Sequence, residues 1–122
     1  EQRRANFDFY KLNLGSVDGL SFLDEPDERY FSNRWLTTIL IDPAMAGRTR
    51  EDLYQALEDQ NIESRPLWKP MHQQPVFSSC PSFLNGTSDE LFAKGLCLPS
   101  GSNMSEEDRR FVLDSIVGFF DN

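Results

Sequence analysis

The chain has 122 residues, which fits one domain with a single hydrophobic core. Its formal net charge of −8 argues against nucleic acid or an anionic membrane surface as a partner, because most of the surface would repel a polyanion. No apolar run approaches the ~18 residues of a membrane span, and two cysteines with one histidine give neither a disulfide framework nor a metal site, so we expect a cytoplasmic protein.

The first third of the chain predicts one helix and one strand. Apolar residues at helical spacing predict a helix over residues 3–14 that ends at Gly15. A helix this short at a chain terminus is marginal by itself, so we expect it to continue upstream in the natural protein. Residues 24–28 predict a solvated acidic loop. Residues 32–42, rich in β-branched and aromatic side chains, predict a central strand that is buried on both faces.

The middle of the chain predicts a second helix, a short strand and a stiff loop. Thr49 and Asp52 form a capping-box pattern at the start of a helix over residues 48–61. Residues 62–64 predict a brief strand. The segment 65–75 contains three prolines, which fix φ and remove amide donors, so it predicts an extended loop.

The last third predicts two more helices around one strand. Thr87 with Glu90 opens a helix over residues 88–94, and Gly95 closes it in a left-handed C-cap conformation. Residues 96–99 predict a strand with Cys97 in the core.

Ser105 and Asp108 cap the final helix, which reaches about Phe120. This order of elements predicts an α+β fold in which a small, mostly antiparallel sheet packs with helices.

Four side chains of the proline-rich loop form the first candidate site: Arg65, Trp68, Lys69 and His72. A stiff loop holds such side chains in place at little entropic cost, and cations beside an aromatic ring suit an anionic ligand with a flat face. The alternative is a connector whose tryptophan packs on the core while its cations lie in solvent.

Asn33 and Arg34 are further candidates, because an Asn-Arg pair at the start of a long strand is able to line a cleft. Pairing with the acidic loop 24–28 is the structural alternative for both residues.

No familiar catalytic motif is present. The glycines are scattered, and neither a phosphate-binding loop nor an HExxH or GxSxG motif occurs. A Cys80–His72 pair would need spatial contact and a third orienting group. We therefore expect no catalytic residue and no metal ligand within this chain.

Three blocks of sequence resemble one enzyme family. They are SNRWLT at residues 32–37, IESRPLWKPMH at residues 62–72 followed by Pro75, and LFAKGLCLPSGSN at residues 91–103. In their order and spacing these blocks resemble the small domain of DegT/StrS-type nucleotide-sugar aminotransferases, pyridoxal phosphate enzymes of fold type I. The resemblance covers nearly the whole chain.

The resemblance implies a C-terminal small domain without its large domain. Residues 1–14 would be the end of the helix that joins the two domains, and residues 15–122 the small domain itself. The Schiff-base lysine and most cofactor contacts of the family belong to the large domain. Lys69 lies outside the family's Schiff-base lysine motif, so no cofactor is expected on this chain alone.

The resemblance also implies an activity for the full-length enzyme. With pyridoxal 5'-phosphate it would move an amino group from glutamate to a nucleotide-linked keto-deoxy sugar, in surface polysaccharide biosynthesis, as a homodimer. Arg65, Lys69 and His72 would contact the diphosphate or the donor carboxylate, and Trp68 would pack on the sugar or base.

Two other functions remain open from the sequence. One is a stand-alone module that binds an anionic ligand through the 65–75 loop, and the other is an interaction domain with exposed aromatic residues. The fragment interpretation predicts an apolar face, normally covered by the large domain, that includes Phe7, Tyr10 and part of residues 71–83.

Overall fold

A computed structural model describes residues 1–121 and contains a four-stranded sheet. All three strand pairings are antiparallel, which confirms the predicted α+β class and sheet type. In spatial order the strands are β1 (Leu20–Phe22), β2 (Thr37–Ile41), β4 (Gly95–Leu98) and β3 (Arg65–Pro66). The short strand β1 was not predicted.

Five α-helices surround this sheet. They are α1 (Gln2–Leu14), α2 (Pro43–Ala46), α3 (Arg50–Glu58), α4 (Thr87–Lys94) and α5 (Glu106–Phe120). No helix within residues 1–121 is long and apolar enough to span a membrane.

The core lies between one face of the sheet and helices α1, α3 and α5. On β2, Thr37, Ile39 and Ile41 are buried while the alternate residues are half-buried, so the sheet has a single fully covered face. The helices contribute fully buried side chains to this core: Tyr10, Leu14, Leu53, Leu57 and Ile116. The predicted burial of Cys97 on β4 is confirmed.

Two of the three predicted N-terminal cap pairs are confirmed, those of α3 and α5. The Thr49 side chain accepts from the Asp52 amide while Asp52 accepts from the Thr49 amide, and Ser105 and Asp108 do the same at α5. Each pair satisfies two amide donors that a helix start leaves unpaired.

The predicted strand over residues 32–42 is wrong at its first half. The Ser32 hydroxyl accepts from the Arg34 amide, and the Asn33 side chain accepts from the Trp35 amide, so local turns use the donors a strand would pair. Arg34 also has a φ of 50°, which breaks the extended conformation. Trp35 is consequently exposed.

The predicted strand over residues 62–64 is also wrong. The chain leaves α3 through Asn61, whose φ is 59°, and the Ile62 amide donates back to the Leu57 carbonyl at 2.9 Å. Pairing with β4 begins only at Arg65, opposite Cys97.

The proline-rich loop is not extended throughout. Met71–Gln73 and Pro75–Phe77 each form one 3₁₀ turn. The Gln73 amide donates a hydrogen bond to the Pro70 carbonyl, and the Phe77 amide donates to the Gln74 carbonyl. A proline fixes φ near the helical value, so Pro75 favours a turn at this point as readily as an extended strand.

Gly95 was expected to be a left-handed C-cap, and this expectation is wrong. Its φ and ψ are −92° and 136°, and it is the first residue of β4. A Cβ at this position would meet the Leu67 side chain and, at 2.6 Å, the Leu91 carbonyl oxygen, so any side chain here would force the backbone of α4 to shift. The left-handed glycine near α4 is Gly86, which is the N-cap of this helix. Thr87 is therefore the first residue of α4, and its expected capping pair with Glu90 is wrong.

The acidic loop and the expected apolar face both need correction. Glu25 is bound to Arg4 and to the Ser32 amide instead of being solvated. Phe7 and Tyr10 are buried within the chain and offer no face to another domain. In the other part of the expected face, residues 71–83, and at the adjoining Leu84, apolar side chains are exposed: Met71, Val76, Phe83 and Leu84.

Candidate functional site

A groove of about 780 Å³ lies beside the edge strand β3. Its lining combines aromatic, charged and hydroxyl side chains, notably Trp35, Trp68, Phe111, Arg65, Glu63 and Ser64. We call it the tryptophan groove. A groove of this volume, with mostly apolar walls and few polar groups, is typical of small-molecule sites.

Two tryptophans from distant parts of the sequence meet in this groove. The rings of Trp35 and Trp68 lie 5.9 Å apart between centroids, with a tilt of 34°. Arg3 of α1 donates to the Trp35 carbonyl and, at 3.2 Å, to the Ser100 carbonyl. The first helix therefore holds one wall of the groove in position.

The loop after β4 forms another wall and is also held by α1. Asn6 donates to the Gly101 carbonyl at 2.9 Å, and the Tyr10 hydroxyl donates to the Pro99 carbonyl at 3.1 Å. The Ser100 hydroxyl accepts from the Thr37 amide at 2.8 Å. These bonds explain how an irregular loop keeps one conformation next to the groove.

Arg65 lies on the rim of the groove but is not a free cation. Its Nε and Nη2 atoms donate to Glu63 Oε1 at 2.8 Å and 2.5 Å, and this pairing raises the pKa of Arg65. Both side chains are more than 70% exposed, so water and salt screen the pair. An anionic ligand would have to compete with Glu63.

Lys69 is exposed and forms no ion pair with any residue from 1 to 121. It does not line the tryptophan groove. Among the four loop candidates it is the cation most available to an anion.

His72 lies away from the groove and is held by a carboxylate. Its Nε2 atom is 2.8 Å from Asp89 Oδ1 in the first turn of α4, and Gln73 donates to the same oxygen. The Gln73 amide and the His72 ring together hold the pKa of Asp89 below its usual value. His72 lines a separate pocket of about 300 Å³ that also includes Cys80.

Asn33 and Arg34 stabilise the segment before β2. The Arg34 guanidinium stacks on the Phe7 ring at 3.7 Å, donates to the Leu23 carbonyl at 2.7 Å, and lies 3.9 Å from Glu25. Its side chain is only 10% exposed. The pairing of Arg34 with the acidic loop, one of the two expected alternatives, is therefore present.

The structure thus divides the six sequence candidates among different places. Arg65 and Trp68 share the tryptophan groove, whereas His72 lines another pocket and Arg34 packs on α1. Sequence reasoning missed Glu63 and Ser64. The spacing of Glu63 and Arg65 at i and i+2, which places both on one side of an extended segment, could have revealed their pairing.

The family model described as the DegT/DnrJ/EryC1/StrS aminotransferase family matches residues 1–117.

The chain belongs to this aminotransferase family.

Curated relatives agree with that assignment. The chain is 41% identical over 124 aligned residues to EpsN of Bacillus subtilis, which is named as a pyridoxal phosphate-dependent aminotransferase. This match covers 98% of the chain. The chain is 29% identical to GDP-perosamine synthase of Escherichia coli O157:H7, again over 98% of this chain. In both cases the match spans only 31% of the relative's length.

Solved structures of other proteins share the fold. The aminotransferase TlmJ from Streptoalloteichus hindustanus superposes with a TM-score of 0.84 at 19% identity, covering 98% of this chain and 31% of that chain. DesI, solved in the presence of its TDP-sugar product, superposes with a TM-score of 0.82 at 24% identity, covering 94% of this chain and 29% of that chain.

The three lysines within residues 1–121 differ in their surroundings. Lys11 pairs with Asp24, and Lys94 pairs with both Asp42 and Glu90. Lys69 is on a loop outside the groove. Lys11 and Lys94 are thus held by carboxylates, and Lys69 is exposed.

Proposed function

We propose that this chain is the C-terminal small domain of a pyridoxal phosphate-dependent aminotransferase that moves an amino group from glutamate to a nucleotide-linked keto-deoxy sugar. The observation that supports this most is the match to EpsN, which extends over 98% of this chain but only 31% of the relative. The proposal places the activity in surface polysaccharide biosynthesis.

The large domain would supply the Schiff-base lysine and most cofactor contacts. Residues 1–14 would form the end of the helix that enters the small domain, and α1 already carries the bonds that fix the groove walls. A second subunit would complete a homodimer.

Residues of this chain would position the substrate. Lys69 and Arg65 would contact the diphosphate or the donor carboxylate, and His72 would donate a hydrogen bond from a ring oriented by Asp89. Trp68 would pack on the sugar or the base. Asn33 and Arg34 would support the same cleft by holding the segment that leads to Trp35.

The amino-transfer reaction itself tests the proposal. The full-length protein, supplied with pyridoxal phosphate and glutamate, should form 2-oxoglutarate only when a nucleotide-linked keto-deoxy sugar is present, with one aminated sugar per 2-oxoglutarate. Absence of transfer to any such sugar, combined with tight binding of simple anions, would instead favour a stand-alone anionic-ligand module.

Arg65→Lys tests the proposed anion contact. Lysine keeps the charge but loses the planar fork, so we expect substrate affinity to fall about tenfold while stability changes by less than ~0.5 kcal/mol. The measurements are substrate titration and denaturation of the full-length enzyme. Lys11→Arg, at an exposed ion pair of α1, is the control. Unchanged substrate affinity in Arg65→Lys would refute the contact.

A further inference from the structure

The loop before α4 contains the single Asn-Gly pair of the sequence, at Asn85 and Gly86. Both residues are exposed, and no main-chain amide of residues 82–86 donates a hydrogen bond within residues 1–121. A segment with so few backbone hydrogen bonds changes its conformation at little cost in free energy. The amide nitrogen of Gly86 is therefore free to act as a nucleophile.

The side chain of Asn85 is folded back toward that nitrogen. Its Oδ1 atom accepts from the Thr87 amide at 3.1 Å, and the ring that this hydrogen bond closes contains the Gly86 nitrogen. Gly86 has a φ of 83° and no side chain to obstruct the nitrogen. Apart from its chain neighbours, no atom of residues 1–121 would lie within 4 Å of a Cβ there. The approach of the nitrogen to the Asn85 Cγ atom is thus sterically open.

Asn33 forms the same kind of turn but lacks a free nucleophile. Its Oδ1 atom accepts from the Trp35 amide at 3.0 Å. The amide that would attack its side chain is that of Arg34, and this amide donates to the Ser32 hydroxyl at 3.1 Å. The Arg34 side chain is also only 10% exposed, so this part of the backbone is held in place. The two asparagines therefore differ at the attacking nitrogen and not in the turn.

We propose that Asn85 is a site of spontaneous deamidation. The Gly86 nitrogen attacks the Asn85 Cγ atom, a new C–N bond forms, and the bond from Cγ to the side-chain nitrogen breaks. Ammonia leaves with the proton of the Gly86 amide, and a five-membered succinimide ring remains. Water then opens the ring at either carbonyl and gives aspartate or isoaspartate. This modification does not depend on the proposed aminotransferase activity.

The products change the start of α4, the helix that holds His72. Asp89 in its first turn lies 2.8 Å from His72 Nε2, and Leu84, the residue before the reactive pair, lines the pocket of His72. Isoaspartate adds a methylene to the main chain and displaces the group that accepts from the Thr87 amide. Hydrogen exchange at the first amides of α4 should become about 3- to 10-fold faster in the isoaspartate form, because one hydrogen bond is lost. Equal exchange in the two forms would contradict this coupling.

Peptide mapping of the aged full-length protein tests the proposal, with Asn33 as an internal control. Incubation should convert Asn85 to both isoaspartate and aspartate, faster in mildly alkaline than in neutral buffer because the attacking amide must lose a proton. Asn33 should react at least about tenfold more slowly, since its neighbouring amide must first give up a hydrogen bond. A rate at Asn33 equal to or above that at Asn85, or no reaction at Asn85, would overturn the proposal.

Two variants test the ring-forming route. Asn85→Gln would need a six-membered ring, and Gly86→Asp places a charged side chain beside the nucleophile while keeping a residue type that tolerates a positive φ. Each substitution should slow the release of ammonia at this position about tenfold or more. Aspartate as the sole product at position 85 would indicate direct hydrolysis by water and contradict the route. An unchanged rate in Gly86→Asp would contradict the assigned nucleophile.

Discussion

At the scale of single residues, Glu25 shows how one carboxylate secures a long irregular segment. Arg4 donates to it at 2.8 Å and 3.2 Å, the Ser32 amide donates at 2.5 Å, and Arg34 lies 3.9 Å away. These contacts, led by the Arg4 hydrogen bond, lower the pKa of Glu25 from its ordinary 4.5 to about 2. Glu25 thereby joins α1 to the segment that ends at Trp35.

This pKa shift predicts a defined dependence of stability on pH. Because the folded pKa is depressed, the stabilisation is complete above about pH 4.5 and is lost as pH falls through about 2. Glu25→Gln should therefore be less stable than the wild type at neutral pH, and the difference should disappear near pH 2. Denaturant midpoints across this range measure it.

The matched control for this effect is Glu28→Gln. Glu28 is an exposed carboxylate of the same loop and forms no ion pair within residues 1–121. A difference between the wild type and Glu25→Gln that stayed constant from pH 7 to pH 2 would contradict the assigned cause.

At the scale of secondary structure, the junction of α4 and β4 depends on a close approach. A Cβ on Gly95 would meet Leu67 Cδ1 at 2.2 Å and the Leu91 carbonyl oxygen at 2.6 Å. The side chain of Leu67 and the end of α4 therefore pack directly on the backbone of the first residue of β4. The flexible leucine is able to move, but the carbonyl is part of the helix.

Gly95→Ala tests this steric requirement, with Gly118→Ala as its control. We expect Gly95→Ala to lower the free energy of unfolding by roughly 1–3 kcal/mol through overpacking. Apart from its chain neighbours and the nearby backbone of α5, no atom of residues 1–121 would lie within 4 Å of a Cβ on Gly118, so alanine there should raise stability by about 0.5–1 kcal/mol. Denaturation of both variants measures the contrast, and a neutral Gly95→Ala would contradict the packing argument.

Sequence patterns predicted the elements whose structure depends on local residues. The capping boxes at Thr49 and Ser105 and the apolar spacing of α1 and α5 were sufficient, because helix ends and helix faces are set by nearby residues. Strand β1 has three residues and gains its stability from pairing with β2, which no local pattern reveals.

The candidate site was predictable only in part, for a similar reason. The chemistry of residues 65–72 was visible in the sequence, but their partners were not. Asp89 is 17 positions from His72, and Trp35 meets Trp68 only because β2 and β3 flank β4. The proline-rich loop looked like one cationic cluster, whereas the fold neutralises Arg65 and separates His72 from it.

At the scale of the whole molecule, one segment exposes more apolar surface than a small acidic domain needs. Met71, Val76, Phe83 and Leu84 are between 56% and 101% exposed. Exposed apolar clusters of this kind mark surfaces that contact other protein. The chain spans about a third of its relatives' length, so the remaining part of such a protein is the expected contact.

This exposure predicts self-association of the isolated chain. The weight-average mass in sedimentation experiments should rise with concentration, and Phe83→Ser should reduce that rise because the most exposed ring is lost. Leu12→Ser, on the exposed side of α1, is the control. Association that depends on Leu12 and not on Phe83 would place the contact on α1 instead.

The central claim is that this chain is one domain of a pyridoxal phosphate-dependent aminotransferase, and visible absorption tests it most directly. The full-length protein should show the yellow band of bound pyridoxal phosphate, and addition of glutamate should bleach that band as the cofactor accepts the amino group. A colourless protein that takes up no cofactor, or a band that glutamate leaves unchanged, would contradict the account.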